Sequence, residues 1–352
     1  WGARRVVLND LSPAATFIAA NYNLPFDVQA FSRAGKELLK SVEKDLGWMY
    51  ETLHTDGRTK ARIEYTVWSE SLTCRSCSGE FIFAEAAVDA VTQEVADVFP
   101  CPHCGAEGNK EQMDLRFESF VDPATNLVVK RPKRSPVWIQ YRIGKQKFVK
   151  KPDAFDLEIL DRIARLPFPD ELPRDSLPDS QMSRVGRMRT TNTSTIHSMF
   201  LPRAAQAMGV LWDRVKRNPD RRLRHMLMFF VEQGVRGMSV LNRYKPVQHG
   251  RLGGSQVGLD LPGVFYVPSL ISEVCVSTQF EGKLDRLTKT FSTFNGAQRA
   301  VMVSTGSASQ SALSDSSVDY IFTDPPFGEN IYYTDLNFMI EAWHGVTSEA
   351  RA

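Results

Sequence analysis

Short apolar runs and helical stripes alternate along this chain. Arg4 to Asp10, Arg-Arg-Val-Val-Leu-Asn-Asp, has the apolar centre and polar end of a buried strand. Ser12-Pro13 then opens a helix over Ala14 to Asn21, with Ser12 as N-cap and Pro13 at the first helical position. Leu38, Leu39, Val42, Leu46 and Met49 recur at helical spacing and predict a helix over Gly35 to Leu53. Arg62 to Trp68 alternates as a strand. Residues 198–217 and 221–240 predict two amphipathic helices joined at Asn218-Pro219-Asp220, with Leu211, Val215, Leu227, Phe230 and Val231 on the apolar stripe and Asp220 capping the second. Tyr266 to Leu270, residues 298–304 and Val318 to Phe322 read as further short strands, and Asp335 to Trp343 as a helix.

Three of these strands share a feature. Asp10, Gly306 and Asp324 each follow an apolar run directly, and in a doubly wound parallel sheet all such ends lie on one edge, where ligands bind. The expected fold is therefore α/β, with the stretch between about 51 and 270 inserted between two strands of the sheet.

Composition adds bounds. The 352 residues carry 43 Lys and Arg against 41 Asp and Glu, so a nucleic-acid surface must come from local clustering. No apolar stretch is long enough to span a bilayer and no signal peptide opens the chain, which points to a soluble, cytoplasmic protein. Trp1 at the start and Arg351-Ala352 at the end suggest a fragment cut at both ends.

Cys74-Arg-Ser-Cys77 and Cys101-Pro-His-Cys104-Gly105 stand 23 residues apart. Two C-x2-C knuckles joined by a strand-bearing stretch are what a tetrahedral four-cysteine zinc site needs, each pair clasping one side of the metal and Gly105 relieving the tight turn. Chance thiols or two disulfides are the alternatives, and His103 is a substitute ligand or a surface residue. Four thiolates leave no open position, so the metal is structural.

Lys130 to Lys151 carries nine Lys or Arg and no acid, with Trp138, Tyr141 and Phe148 among them. Such a run is a solvated face or a phosphate-contacting surface whose aromatics stack on unpaired bases or anchor strands. Residues 153–180 read as an extended connector with one short helix near Phe155 to Ala164, and Gly250 to Gly263 as a flexible loop. A basic cluster, Arg214, Lys216, Arg217, Arg221, Arg222 and Arg224, surrounds the turn between the two helices. His197, His225 and His249 show no metal-like pairing, and Cys275 reads as a buried thiol.

The chemistry of the last strand end is more specific. In Thr323-Asp324-Pro325-Pro326-Phe327 two prolines force the backbone out of the sheet. An exocyclic amine on a planar ring is a poor nucleophile, and a carboxylate accepting its N–H returns electron density to nitrogen. Asp324 suits that role, the Pro325 carbonyl accepts the second hydrogen, and Phe327 offers a flat face to a base. The bland alternative is a strand-ending turn.

Asp324 to Phe327 with Gly328 resembles the catalytic motif of amino-group DNA methyltransferases, which use S-adenosylmethionine. Members with Asp or Asn at the first position act on adenine N6, whereas Ser is commoner in those acting on cytosine N4. Asn9 to Ala14 resembles the second cofactor motif of a methyltransferase family. Asp10 is then the candidate grip on the cofactor ribose, or else a turn or capping residue. Asn242 to Pro246 and Tyr266 to Leu270 resemble segments of prokaryotic zinc-ribbon-containing adenine-specific DNA methylases. One departure stands out: no G-x-G precedes Asp10.

The resemblance implies a Rossmann-like class I methyltransferase sheet, incomplete, with a large insertion bearing a zinc ribbon and a helical hairpin. Residues 1–50 would form the first part of the core, 51–152 the ribbon and basic strands, 153–265 a connector and helical target-recognition region, and 266–352 the catalytic part. It further implies DNA as partner, a place in DNA methylation or restriction-modification, cofactor contacts at Asp10, Gly306, Ser307 and Ala308, and catalytic roles for Asp324, Pro325, Pro326 and Phe327. Asn330, Tyr332 and Tyr333 would line the base pocket. Methylation of cytosine N4, RNA or protein glutamine, and a non-catalytic zinc-ribbon DNA-binding protein with a decayed methylase core, remain as other readings.

Overall fold

A computed structural model describes residues 4–89, 92, 94–248, 251–252, 254–294, 300–310, 313–325 and 332–347. Its centre is not a parallel sheet. The strand foreseen at Arg62–Trp68 extends over Lys60–Thr73, 14 residues that are buried almost throughout, and every neighbour pairs with it antiparallel. Arg134–Ile143 runs along one edge, with Gln146–Lys150 beyond it, and Leu270–Val274 lies on the other. Glu51–Leu53, Glu80–Ile82 and Asp114–Leu115 complete seven strands. The expected strand at Tyr266–Leu270 thus starts where it was to end. Leu-Ile-Ser-Glu-Val is buried at all five positions, so Ser272 and Glu273 hide a strand that the apolar pattern alone misses.

The doubly wound sheet reduces to two parallel strands, Arg5–Asp10 and Ala300–Thr305, in register from Arg5 opposite Ala300 to Asp10 opposite Thr305. The third expected strand is absent. Val318 to Phe322 forms no regular structure and is exposed, Tyr320 at 79%, Ile321 at 74% and Phe322 at 83%. The physical reason is that it has no partner strand among the described residues. Strand backbone groups need a neighbouring ladder, and the small pair exposes Val6, Val7 and Met302 instead of offering a covered face.

Helices cover the large sheet. Val28–Leu46 begins seven residues before the expected start, where Asp27 caps it by accepting the Ala30 N–H at 2.9 Å. Gly35 lets this helix close on helix Val276–Phe294, since a β-carbon there would lie 2.6 Å from Leu284. The foreseen hairpin is present but shorter, as Pro202–Lys216 and Arg221–Glu232, with Asp220 accepting the Leu223 N–H at 2.9 Å. Leu211, Val215, Leu227, Phe230 and Val231 are all buried. Around the turn, Arg214 bonds Ser41 and pairs with Asp45, Lys216 pairs with Glu171, and Arg222 binds the carbonyls of Asn21, Leu24 and Pro25. These cations fasten the hairpin to its neighbours.

The foreseen short helix forms as Ala154–Ala164. The glycine-rich loop is anchored in its described part: buried Gln256 bonds both backbone groups of Lys245, and Asn242 reaches the carbonyls of Gln256 and Ser272 and the N–H of Leu259. Asn242 therefore ties the loop to the sheet.

A second tie is Gly186, at φ +63°, whose carbonyl accepts the Val267 N–H at 2.9 Å. A β-carbon there would stand 1.8 Å from the Phe265 carbonyl oxygen. Gly186→Ala is expected to lower stability by at least about 2 kcal/mol, because left-handed strain and a backbone collision act together. Urea unfolding measures it, and an unchanged midpoint would mean that the loop relaxes freely.

Candidate metal centre and the Asp10 sheet edge

The two cysteine knuckles fold alike. Cys74 N–H bonds the Gly79 carbonyl and Ser78 N–H returns to Cys74; Cys101 N–H bonds the Ala106 carbonyl and Gly105 N–H returns to Cys101. Four residues after the first cysteine each turn needs positive φ, supplied by Gly105 at 72° and by Ser78 at 59°. The glycine was legible in the sequence and the serine was not. A further N–H in each knuckle, Gly79 to the Cys77 sulfur and His103 to the Cys101 sulfur, lies at 3.4 Å.

All four sulfurs lie within 4.8 Å of one another, and the cross-knuckle pairs Cys74–Cys104 and Cys77–Cys101 are both 3.8 Å apart. Disulfides would bring sulfurs to about 2 Å. A tetrahedron with zinc–sulfur bonds of about 2.3 Å has edges of about 3.8 Å, so the set fits zinc. The backbone N–H groups of Cys77 and, less strongly, Ser76 hold the Cys74 thiol down to about 6. Cys77, although it accepts the Gly79 N–H, is pushed up to about 12 by desolvation and by the sulfurs of Cys104, Cys101 and Cys74. A cation at the centre removes that repulsion. His103 is no ligand: its Nε2 bonds the Glu80 carbonyl at 2.8 Å, and its ring fills the space left by Gly79.

At the parallel pair two of the three expected strand ends meet. Gly306 N–H donates to the Asp10 carbonyl at 2.9 Å, and the Asn9 side chain donates to the Gly306 carbonyl at 2.8 Å. Asp10 is exposed, and one of its carboxylate oxygens accepts the Ser12 N–H at 2.8 Å, a turn role. Ser12 caps helix Pro13–Asn23 as foreseen and donates to the buried Glu341 at 2.7 Å. That bond ties the Asp10 turn to helix Tyr333–His344, which follows the Asp-Pro-Pro-Phe segment in sequence. Ser307 and Ala308 lie exposed just past Gly306.

Asp324 and Pro325 are exposed at the end of the irregular stretch, apart from the parallel pair's ladder. Pro326, Phe327 and Asn330 lie outside the described residues, as does His249. Tyr332 and Tyr333 stand at the start of the last helix.

The basic run is largely neutralised by acids, most of them distant in sequence. Arg131 pairs with Glu118, Lys133 with Glu80, Arg142 and Lys147 with Glu64, Lys150 with Asp153 and Asp156, and Lys151 with Glu85. Tyr141 is fully buried and stacks on Phe148 at 5.5 Å, while Trp138 packs on Tyr244. These aromatics anchor strands. His197 bonds Asp122 at 2.9 Å, His225 packs on Phe17, and Cys275 is a buried free thiol. Among the described residues no helix is long and apolar enough to cross a membrane. Compared with protein-family models, curated proteins and solved structures, the chain finds no match in any of the three.

Proposed function

We propose that the chain is an S-adenosylmethionine-dependent DNA methyltransferase acting on adenine N6, with a structural zinc. The observation that carries this reading is the meeting of Asp10 and Gly306 at the carboxyl ends of two adjacent parallel strands, joined to the Asp-Pro-Pro-Phe sequence. A carboxylate at such an end grips a ribose diol, and a glycine beside it admits a flat ring. The bound cofactor supplies an electrophilic methyl group and the leaving-group drive of a sulfonium. Asp324 and the Pro325 carbonyl accept the two amine hydrogens and hold nitrogen in line, and Phe327 stacks on the extruded base.

The exposure of Val318 to Phe322 favours a second reading, a zinc-ribbon DNA-binding protein without turnover. Incubation with labelled S-adenosylmethionine and mixed-sequence DNA, followed by digestion to nucleosides, separates the two. N6-methyladenine is the expected product. Label in N4-methylcytosine, RNA or protein would reassign the substrate, and no label despite intact zinc and DNA binding would leave the second reading in place.

A further inference from the structure

We propose that Lys110, Arg134 and Arg187, gathered around Glu70 at the root of the cysteine module, form a binding site for a phosphate group. The three cations come from three places in the chain. Lys110 opens the 3-10 turn Lys110–Gln112 on the module side; Arg134 begins strand Arg134–Ile143; Arg187 follows Gly186 in the loop fastened to Phe265–Val267. Glu70, on the long strand, is wholly buried and stands opposite Arg134 in the antiparallel register, so their side chains leave the same face.

Glu70 is already engaged. Arg187 grips both its oxygens, at 2.8 and 3.0 Å, and spends its other terminal nitrogen on the Val267 carbonyl at 3.0 Å and the Ser269 hydroxyl at 3.1 Å. Lys110 meets the same hydroxyl at 2.8 Å, which leaves its other two N–H bonds to spend. Among the described residues Arg134 finds no partner at Nε or Nη2, though both atoms are buried. A buried guanidinium with idle donors is costly. Donors are thus in excess of acceptors.

Charge is in excess too. Among the described residues, Glu70 and the exposed Glu111 are the carboxylates set against these three cations, while the neighbouring Arg131–Glu118 pair neutralises itself at 2.7 Å. Burial and, behind it, the Arg187 charge lower the Lys110 ammonium; burial brings Arg134 down to about 10, with Glu70 opposing and Arg187 and Arg131 adding to the shift. The missing component is an anion that accepts several hydrogen bonds at once. A phosphate does this with three or four oxygens, and Arg is the side chain best shaped to hold it. Lys110, Arg134 and Arg187 each keep part of their surface in solvent, although Nε and Nη2 of Arg134 are themselves buried. The inference stands apart from the methyl-transfer reading, since a phosphate would be held here whatever reaction the chain performs.

The full chain is titrated calorimetrically with inorganic phosphate against a chloride control of equal ionic strength. Binding of one phosphate per chain is expected, with affinity falling about tenfold in Lys110→Gln and in Arg134→Gln, the loss of one charge-assisted bond each. Lys110→Gln is the safer variant because Gln keeps a donor for the Ser269 hydroxyl, and circular dichroism shows whether either still folds. A labelled duplex then distinguishes sources. If the site holds nucleic-acid backbone, phosphate competes with the duplex, and each variant lowers the slope of log affinity against log salt by about one. If it holds a free or small-molecule phosphate, the variants lose phosphate and keep the duplex. No phosphate binding by the folded native chain would overturn the site and leave Arg134 to bury idle donors against water.

Discussion

Cys101→Ser, or removal of the metal by a strong chelator, is expected to unfold the segment from Cys74 to Met113 while the helical body keeps its structure. The module cannot hold itself by packing. Its strands Glu80–Ile82, Val98–Pro100 and Glu107–Asn109 are three residues each, and its core is little more than Phe81, Phe83, Phe99 and Met113. Phe99 meets Phe83 at 5.6 Å and Phe81 at 6.3 Å, edge to face. So small a cluster falls short of the entropy of ordering about 40 residues at roughly 1–2 kcal/mol each for the backbone. Structural zinc contributes on the order of 10 kcal/mol to folding in domains of this size, and the four sulfurs, 3.8 Å apart across the knuckles, repel once the cation leaves. One zinc per native chain by elemental analysis, far less in Cys101→Ser, and rapid proteolysis between Asp89 and Val98 in the variant are the expected results. A metal-free chain resisting protease as well as the native one would remove zinc from the fold. Because Lys110 rides on this module, chelation should also weaken phosphate binding.

What the sequence made legible was local. The cysteine knuckles, the Ser12 and Asp220 caps and the amphipathic hairpin depend on residues within a few positions of one another, and all are present. What it hid was pairing at long range. The run from Lys130 to Lys151 reads as bare positive charge only until Glu64, Glu80 and Glu118 arrive from other strands. Glu70 and Arg187 are 117 positions apart, and nothing near either marks it as half of a buried pair. Ser272 and Glu273 look exposed in sequence and are buried, because Leu270–Val274 is covered on both faces. Val318 to Phe322 fails in the opposite direction. Its composition favours a strand, but composition cannot supply the ladder a strand requires, and the described residues place none beside it. The two strands of the parallel pair were foreseen, the first as Arg4 to Asp10 and the second as 298–304 against an observed Ala300–Thr305, since an apolar run closed by Asn-Asp or Thr-Gly stops at nearly the same place in sequence and in space.

On the methyl-transfer reading, Asp324→Ala is expected to reduce methylation at least about a hundredfold while S-adenosylmethionine binds almost as before. The carboxylate would act only on the target amine, accepting its N–H as nitrogen gains positive character, and loss of one such preorganised partner costs about 10²–10³ in kcat. Asp324→Asn keeps an acceptor oxygen without the charge, so turnover should fall less. Asp10→Ala gives the converse pattern. If its carboxylate grips the ribose diol, losing charge-assisted hydrogen bonds at about 1.5–3 kcal/mol each lowers cofactor affinity tenfold or more, and saturating cofactor restores much of the rate. The contrast matters because Asp10 sits on a formed sheet edge and Asp324 on an exposed, irregular segment. Calorimetric binding of the cofactor beside single-turnover rates in both variants separates binding from chemistry. Full turnover in Asp324→Ala would sink the assignment of the base-facing role, and unchanged cofactor affinity in Asp10→Ala would confine that carboxylate to the turn it makes with Ser12.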